Sequence, residues 1–196
     1  MDTALQTPNP AVTLLSDYES TQESVLLMTC YDLYFKKVEV SDGSGNRLFT
    51  VNGKTFSSWS WRRTVTDHKD EHLFDLRKIG FGGRWTVEDP SKQTICDLEH
   101  KKRFTEPVAV DATVHTQAGD QVLVVMRPND YAATTTTVSV SDTTIAVISK
   151  VVDNIQAYKT DKERSVWKAK IAGGVDLSLI LIMMLCRAEM GHVWKQ

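Results

Sequence analysis

Five consecutive residues, His68-Lys69-Asp70-Glu71-His72, have the form H-x-x-E-H, an inverted zinc-peptidase signature. That chemistry needs two imidazoles about one turn apart on a helix face, with a third ligand nearby. Here the segment falls in an Asp-led hairpin, so it reads as a solvated polar turn, and no metal or other cofactor is expected. Cys30, Cys96 and Cys186 are widely spaced and form no C-x-x-C. They read as reduced core thiols, not as a disulfide framework or zinc site. The chain has no G-x-S-x-G elbow and no phosphate-cradling loop leading into a helix. The densest basic run is His100-Lys101-Lys102-Arg103. Polybasic clusters hold anionic lipid head groups, at about 1 kcal/mol per charge near a charged surface. With Arg62 and Arg63, this run supplies the candidate lipid-binding residues: Arg62, Arg63, Lys101, Lys102 and Arg103. Arg77-Lys78 and Arg84 would add to them if their strands lie side by side. The competing reading is an ordinary solvated loop.

These side chains must be held by strands. Val, Ile and Thr number 21, 8 and 21 in 196 residues, about a quarter of the chain, and β-branched residues favour strands. Trp59, Trp61, Arg63 and Val65 fall on one face of a period-two pattern. Val108, Val110, Ala112 and Val114 do the same, as do Trp167, Ala169 and Ile171. Turn signals separate the segments: Ser41-Asp42-Gly43, Asn52-Gly53, Gly82-Gly83, Asp89-Pro90, Gly119-Asp120 and Pro128-Asn129. About a dozen strands fit between Ser24 and Ile171, and such short connections dictate antiparallel pairing. Val40-Ser41-Asp42 and Leu48-Phe49-Thr50-Val51 recur 25 residues later as Val65-Thr66-Asp67 and Leu73-Phe74-Asp75-Leu76. Two similar hairpins of one sheet explain the repeat.

One segment breaks the strand pattern. Leu179-Ile180-Leu181-Ile182-Met183-Met184-Leu185-Cys186 is an unbroken apolar run, with Asp176 as an N-cap and Arg187 in the last turn. The spacing predicts a helix over 177–190. Such a helix is apolar all round and must be buried in protein or lipid. Its length of about 21 Å falls short of a bilayer core of about 30 Å, so no transmembrane span is expected and the helix belongs inside its own protein. A two-layer sandwich is too thin to enclose it, whereas a closed can of about twelve strands has room. The fold class expected is therefore all-β with one helix, an antiparallel closed barrel enclosing a hydrophobic C-terminal helix. Residues 1–12, with Pro8 and Pro10, read as a flexible arm before a single domain over 13–196.

Net charge is −2, so a dedicated nucleic-acid binder is not indicated. Residues 1–30 hold four acids and no Lys or Arg, and residues 31–105 carry a net +3. The N-terminus lacks a basic start and an apolar stretch, and no Asn-x-Ser/Thr acceptor occurs, which fits a cytoplasmic location.

Three stretches together resemble the LURP-one-related family, within the Tubby C-terminal-like and phospholipid-scramblase-like group. The first runs from Val38-Glu39-Val40-Ser41-Asp42 to Gly53-Lys54. The second is Leu73-Phe74-Asp75-Leu76-Arg77-Lys78, with Trp85-Thr86-Val87 after it. The third is Gly174-Val175-Asp176, leading through the apolar helix to Arg187-Ala188-Glu189. The resemblance implies a twelve-stranded barrel around a C-terminal helix, with no established catalysis and relatives that associate with membrane lipids or act as scaffolds. Scramblase relatives carry a calcium-binding segment and clustered cysteines, and this chain has neither pattern. The expected function is a non-enzymatic binding or scaffold module, peripheral at membranes through anionic phospholipid head groups such as phosphoinositides. The alternative is a hydrolase or transferase whose site has no sequence motif.

Overall fold

The wall of the molecule follows from alternation. In the computed structural model, which describes residues 4–9, 11–32, 36–53, 62–80, 83–103, 106–116, 119–129, 134–153 and 165–193, twelve strands run in chain order. They are β1 (Ser24–Cys30), β2 (Lys37–Asp42), β3 (Arg47–Gly53), β4 (Arg62–Asp67), β5 (His72–Ile79), β6 (Arg84–Glu88), β7 (Thr94–Arg103), β8 (Glu106–His115), β9 (Gln121–Pro128), β10 (Thr135–Val140), β11 (Thr143–Asp153) and β12 (Ser165–Ile171). Each pairs antiparallel with the next, and β12 closes on β1 with Leu26 opposite Ala169 and Met28 opposite Trp167. Inward residues such as Val38, Val40, Phe74, Leu76, Ala169 and Ile171 are buried, and their strand neighbours are less so. This is the expected closed barrel. The alternation through Trp59 and Trp61 lies outside the described residues.

The turns at one end share a chemistry of which the sequence reading caught only half. Asp42 Oδ1 accepts the N–H groups of Ser44 and Asn46, and Asp67 Oδ1 those of Lys69 and Glu71. Asp89 Oδ1 accepts the Gln93 N–H, and Thr116 Oγ1 that of Asp120. In all four, the fourth residue donates to the leading carbonyl with positive φ: Gly45, Asp70, Lys92 and Gly119. The common signal is Val-x-Asp or Val-x-Thr, at Val40, Val65, Val87 and Val114. A short polar side chain that satisfies its own turn lets six-residue strands reverse without a long loop. His68 and Lys69 occupy such a turn, as expected for a solvated hairpin tip. In contrast, Asn52-Gly53 is not a turn. It continues β3, with Gly53 opposite Arg63.

The single helix, α1 (Leu177–Val193), fills the lumen. Leu179 through Leu185 are fully buried, and they pack with inward residues of the strands in one cluster. Each such side chain contributes about 1.5–3 kcal/mol by leaving water. The helix runs three residues beyond the expected Met190. Among the described residues, no helix is long and apolar enough to cross a membrane.

Asp176 fixes where the helix starts. Its Oδ1 accepts the backbone N–H and hydroxyl of Ser178, and its Oδ2 accepts the N–H groups of Leu14 and Leu15 at 2.7 Å each. One buried carboxylate thus caps the helix and clamps the N-terminal segment across that end of the barrel. Ser20 adds a second clamp. Its hydroxyl donates to the carbonyls of Ala172 and Val175, and the Gly174 N–H donates to its carbonyl. Val12 and Leu14 enter the core, and the Gln6 N–H donates to the Thr144 carbonyl.

Candidate functional site

The two ends of the barrel differ in charge. The end closed by the helix N-terminus carries Asp42, Asp67, Asp89, Asp120 and Asp142 in its turns, with Asp17, Glu19 and Glu23 on the clamping segment. Arg47, Lys69 and Lys92 stand against them. The opposite end, where the helix C-terminus emerges, gathers Lys36, Lys37, Arg62, Arg77, Lys78, Arg84, Lys101, Arg127 and Lys150 on or beside the rim. Asp32, Glu99 and Asp111 are among the acids there.

Of the sequence-predicted cations, the three whose side chains are described, Arg62, Arg63 and Lys101, do not share one surface. Arg62 faces outward on β4 and bridges Asp75 at 3.3 Å and Glu88 at 3.4 Å. Asp75 is buried on the outer wall, where it also takes Lys92 Nζ at 2.8 Å, the Thr64 hydroxyl at 2.7 Å and His72 at 3.4 Å. Burial alone would raise the Asp75 carboxyl, but Lys92, Thr64 and Arg62 outweigh it and hold it below its ordinary value. Lys101 lies three strands from Arg62, on the order of 14 Å across the sheet, and is paired to Glu99 and, at 3.7 Å, to Asp111. Both residues therefore help to hold the wall. Lys102 and Arg103 continue β7, but their side chains lie outside the described residues. Arg63 points the other way, into the lumen, and is buried.

Arg63 belongs to a layer formed by the wall's own alternation. Val65 is buried inside β4, and Arg63 is the next inward position toward the mouth. Lys78 follows Leu76 in the same way on β5, and Lys150 follows Ile148 on β11. Each strand ends its apolar row with a cation. Lys78 Nζ lies 5.7 Å from the Trp85 ring centre, and Lys150 Nζ lies 5.3 Å from that of Trp167. From the helix, the Arg187 guanidinium lies 4.9 Å from the same Trp167 ring. Cations at this depth also suit the partial negative charge of a helix C-terminus. Gly53 makes room for the layer, since a side chain there would meet Arg63 Nη1 at 3.0 Å and Lys36 Cγ at 3.2 Å.

Glu189 of α1 faces this layer. Its Oε1 lies 3.3 Å from Arg63 Nη2, yet that oxygen is buried without a hydrogen-bond partner among the described residues. The pair is Coulombic and poorly aligned. Burial pushes the Glu189 carboxyl from its ordinary value near 4.5 up to about 7, against the opposing pull of Arg63 and Lys78. Burial likewise raises the three thiols, Cys30 to about 12. They are inert core groups. Among the described residues no cluster of three or more His, Cys, Asp or Glu could hold a metal ion.

A closed barrel whose lumen is filled by its own helix leaves the rims and the outer wall as binding surfaces. The LURP-one-related family model matches residues 25–188, and the chain belongs to that family. An Arabidopsis thaliana protein solved by X-ray crystallography superposes on it with a TM-score of 0.61. The two chains are 16% identical over 89% of this one and 96% of that one. At that identity the likeness is one of fold. None of the curated proteins matches the chain.

Proposed function

We propose that this protein is a non-enzymatic binding module that associates with anionic membrane lipids through the mouth end of its barrel. The observation that carries the reading is the separation of charge along the barrel axis, with acidic turns at the clamped end and cations at the mouth. A charged membrane surface attracts such an end and orients the barrel upon it. The filled lumen supports rim binding over enclosure of a ligand, and the outward-facing Arg62 and Lys101 have carboxylate partners on the wall. The candidates we propose at the mouth are Lys36, Arg63, Lys78 and Lys150, beside Lys102 and Arg103.

Flotation of the full chain with vesicles tests this. Binding is expected to vesicles containing phosphatidylglycerol or a phosphoinositide and not to neutral phosphatidylcholine, and it should weaken as salt rises. Neutralising Lys36 and Lys78 together (K36Q K78Q) is expected to weaken binding by about thirtyfold. Equal flotation with neutral vesicles, or none with anionic ones at physiological salt, would end the lipid reading.

A further inference from the structure

The mouth holds a carboxylate where an anion would go, and that arrangement has a consequence for binding. Between β2 and β5, the side chains of Lys36 and Arg63 crowd around Gly53, with the Arg63 guanidinium and the Lys36 Cγ 3.0 and 3.2 Å from where its Cβ would stand. Lys78 is half-buried beside them on the next strand and acts on the same carboxyl as Arg63. Glu189 supplies the resident negative charge, through an oxygen that accepts no hydrogen bond among the described residues. We propose that this sector is a head-group site in which Lys36, Arg63 and Lys78 hold a phosphodiester anion while Glu189 takes up a proton. The inference rests on the lipid-binding reading above and adds the location and the proton.

The argument is electrostatic. Two negative charges in one half-buried mouth repel far more strongly than in water, because the effective dielectric constant there is low. An entering phosphodiester cannot give up its charge, since it stays ionised throughout the neutral pH range. Glu189 can, because burial has already brought its carboxyl up to about 7 and a new anion pushes it further. Protonation also removes the negative charge that Arg63 Nη2 faces at 3.3 Å. The groups that face Glu189 from every side agree with this assignment. β4 contributes Arg63 and β5 contributes Lys78, while Cys30 of β1 and Cys186 of α1 are thiols that burial keeps protonated. Lys150 and Arg187 stand across Trp167, and the described inward residues of β8 at this level, Val108 and Val110, are apolar. His100, beside Gly83, is a second titratable group at the same mouth, so the inference is read from the difference between the wild type and E189Q.

The test is flotation of the full chain with phosphatidylglycerol vesicles across pH. Their head group carries a fixed charge, so only the protein titrates. Wild-type affinity at about pH 8.5 is expected to be roughly tenfold below that at about pH 6. E189Q should change by less than about twofold and bind more tightly than the wild type at the high-pH end. Should E189Q fold poorly, calorimetry on the wild type alone decides, in two buffers of different ionisation enthalpy. Uptake of roughly half a proton per bound head group is expected near pH 7.5, and zero uptake overturns the inference. Soluble glycerophosphoglycerol separates head group from bilayer. If it competes and also draws a proton, the phosphodiester itself occupies the site. If it does neither while the vesicles bind, the mouth does not hold the head group and the inference fails. Parallel pH profiles for the wild type and E189Q overturn the proton coupling and leave lipid binding standing. Absence of flotation at every pH overturns both.

Discussion

At the clamped end of the barrel, buried and exposed acids are answered by donors from the backbone. Asp176 takes three backbone N–H groups and a hydroxyl, and Asp42, Asp67 and Asp89 each close their own turn. At the mouth, Glu189 is nearly as deeply buried but has an ill-aligned arginine and an oxygen to which none of the described residues donates. Both carboxylates are buried on or beside the same helix, seventeen residues long. The first is held by directed hydrogen bonds and is structural. The second is held by charge alone, so its protonation state is free to respond to what arrives nearby. Backbone donors are fixed in direction and number, and lysine and arginine charges are not. That contrast separates an end built for stability from an end fit for binding.

The sharpest way to break the comparison is Asp176→Ala. The N–H groups of Leu14, Leu15 and Ser178 would lose their acceptor in a buried site, and the helix its cap. A loss of about 3–5 kcal/mol in denaturant-unfolding stability is expected. A loss below about 1 kcal/mol would mean that the clamp is ornamental. D176N should fall between, because an amide offers one oxygen in place of two.

Glu189→Gln should leave the opposite trace. An acid whose folded-state pKa is raised gives its full stability below its unfolded value, and that advantage is lost as pH rises through the folded value. For Glu189 the window runs from near 4.5 to about 7. Wild-type stability is expected to decline across it, by on the order of 1–3 kcal/mol, and E189Q should lack that part of the slope. Unfolding curves across this range check the point, and identical slopes would place Glu189 among ordinary surface acids. A smaller effect belongs to Gly174→Ala at the clamped end. Gly174 has φ +75°, and a Cβ there would meet Thr7 Cγ2 at 2.7 Å. About 1–2 kcal/mol should be lost, and pairing it with Thr7→Ala should restore only the steric part of that loss in thermal melts.

The barrel was readable because two strong patterns agreed. Period-two alternation set the strands, and the apolar run at 179–186 could be satisfied only inside them. Asp176 was legible as a cap, but its second role was not. The N–H groups of Leu14 and Leu15 lie more than 160 residues away in the chain, and no local pattern records such a contact. The site was half legible. A run such as Lys101-Lys102-Arg103 draws attention by density, yet adjacent strand residues point to opposite faces. Arg62 consequently sits on the outer wall and Arg63 in the lumen. The better signal was spacing, with a cation two residues beyond the last buried apolar residue at Arg63, Lys78 and Lys150. Glu189 carried no local signal of its depth, since only the closure of β4 and β5 around it makes it a buried acid.

The account stands most directly on charge reversal at the two ends, read by flotation with phosphatidylglycerol vesicles at physiological salt. Reversal at the mouth (K36E K78E) is predicted to abolish binding. Reversal of exposed acids at the clamped end (E71K D142K) is predicted to leave it within about twofold. Binding that survives the mouth reversal, or that responds equally to both, would contradict the assignment of the mouth as the membrane-facing end.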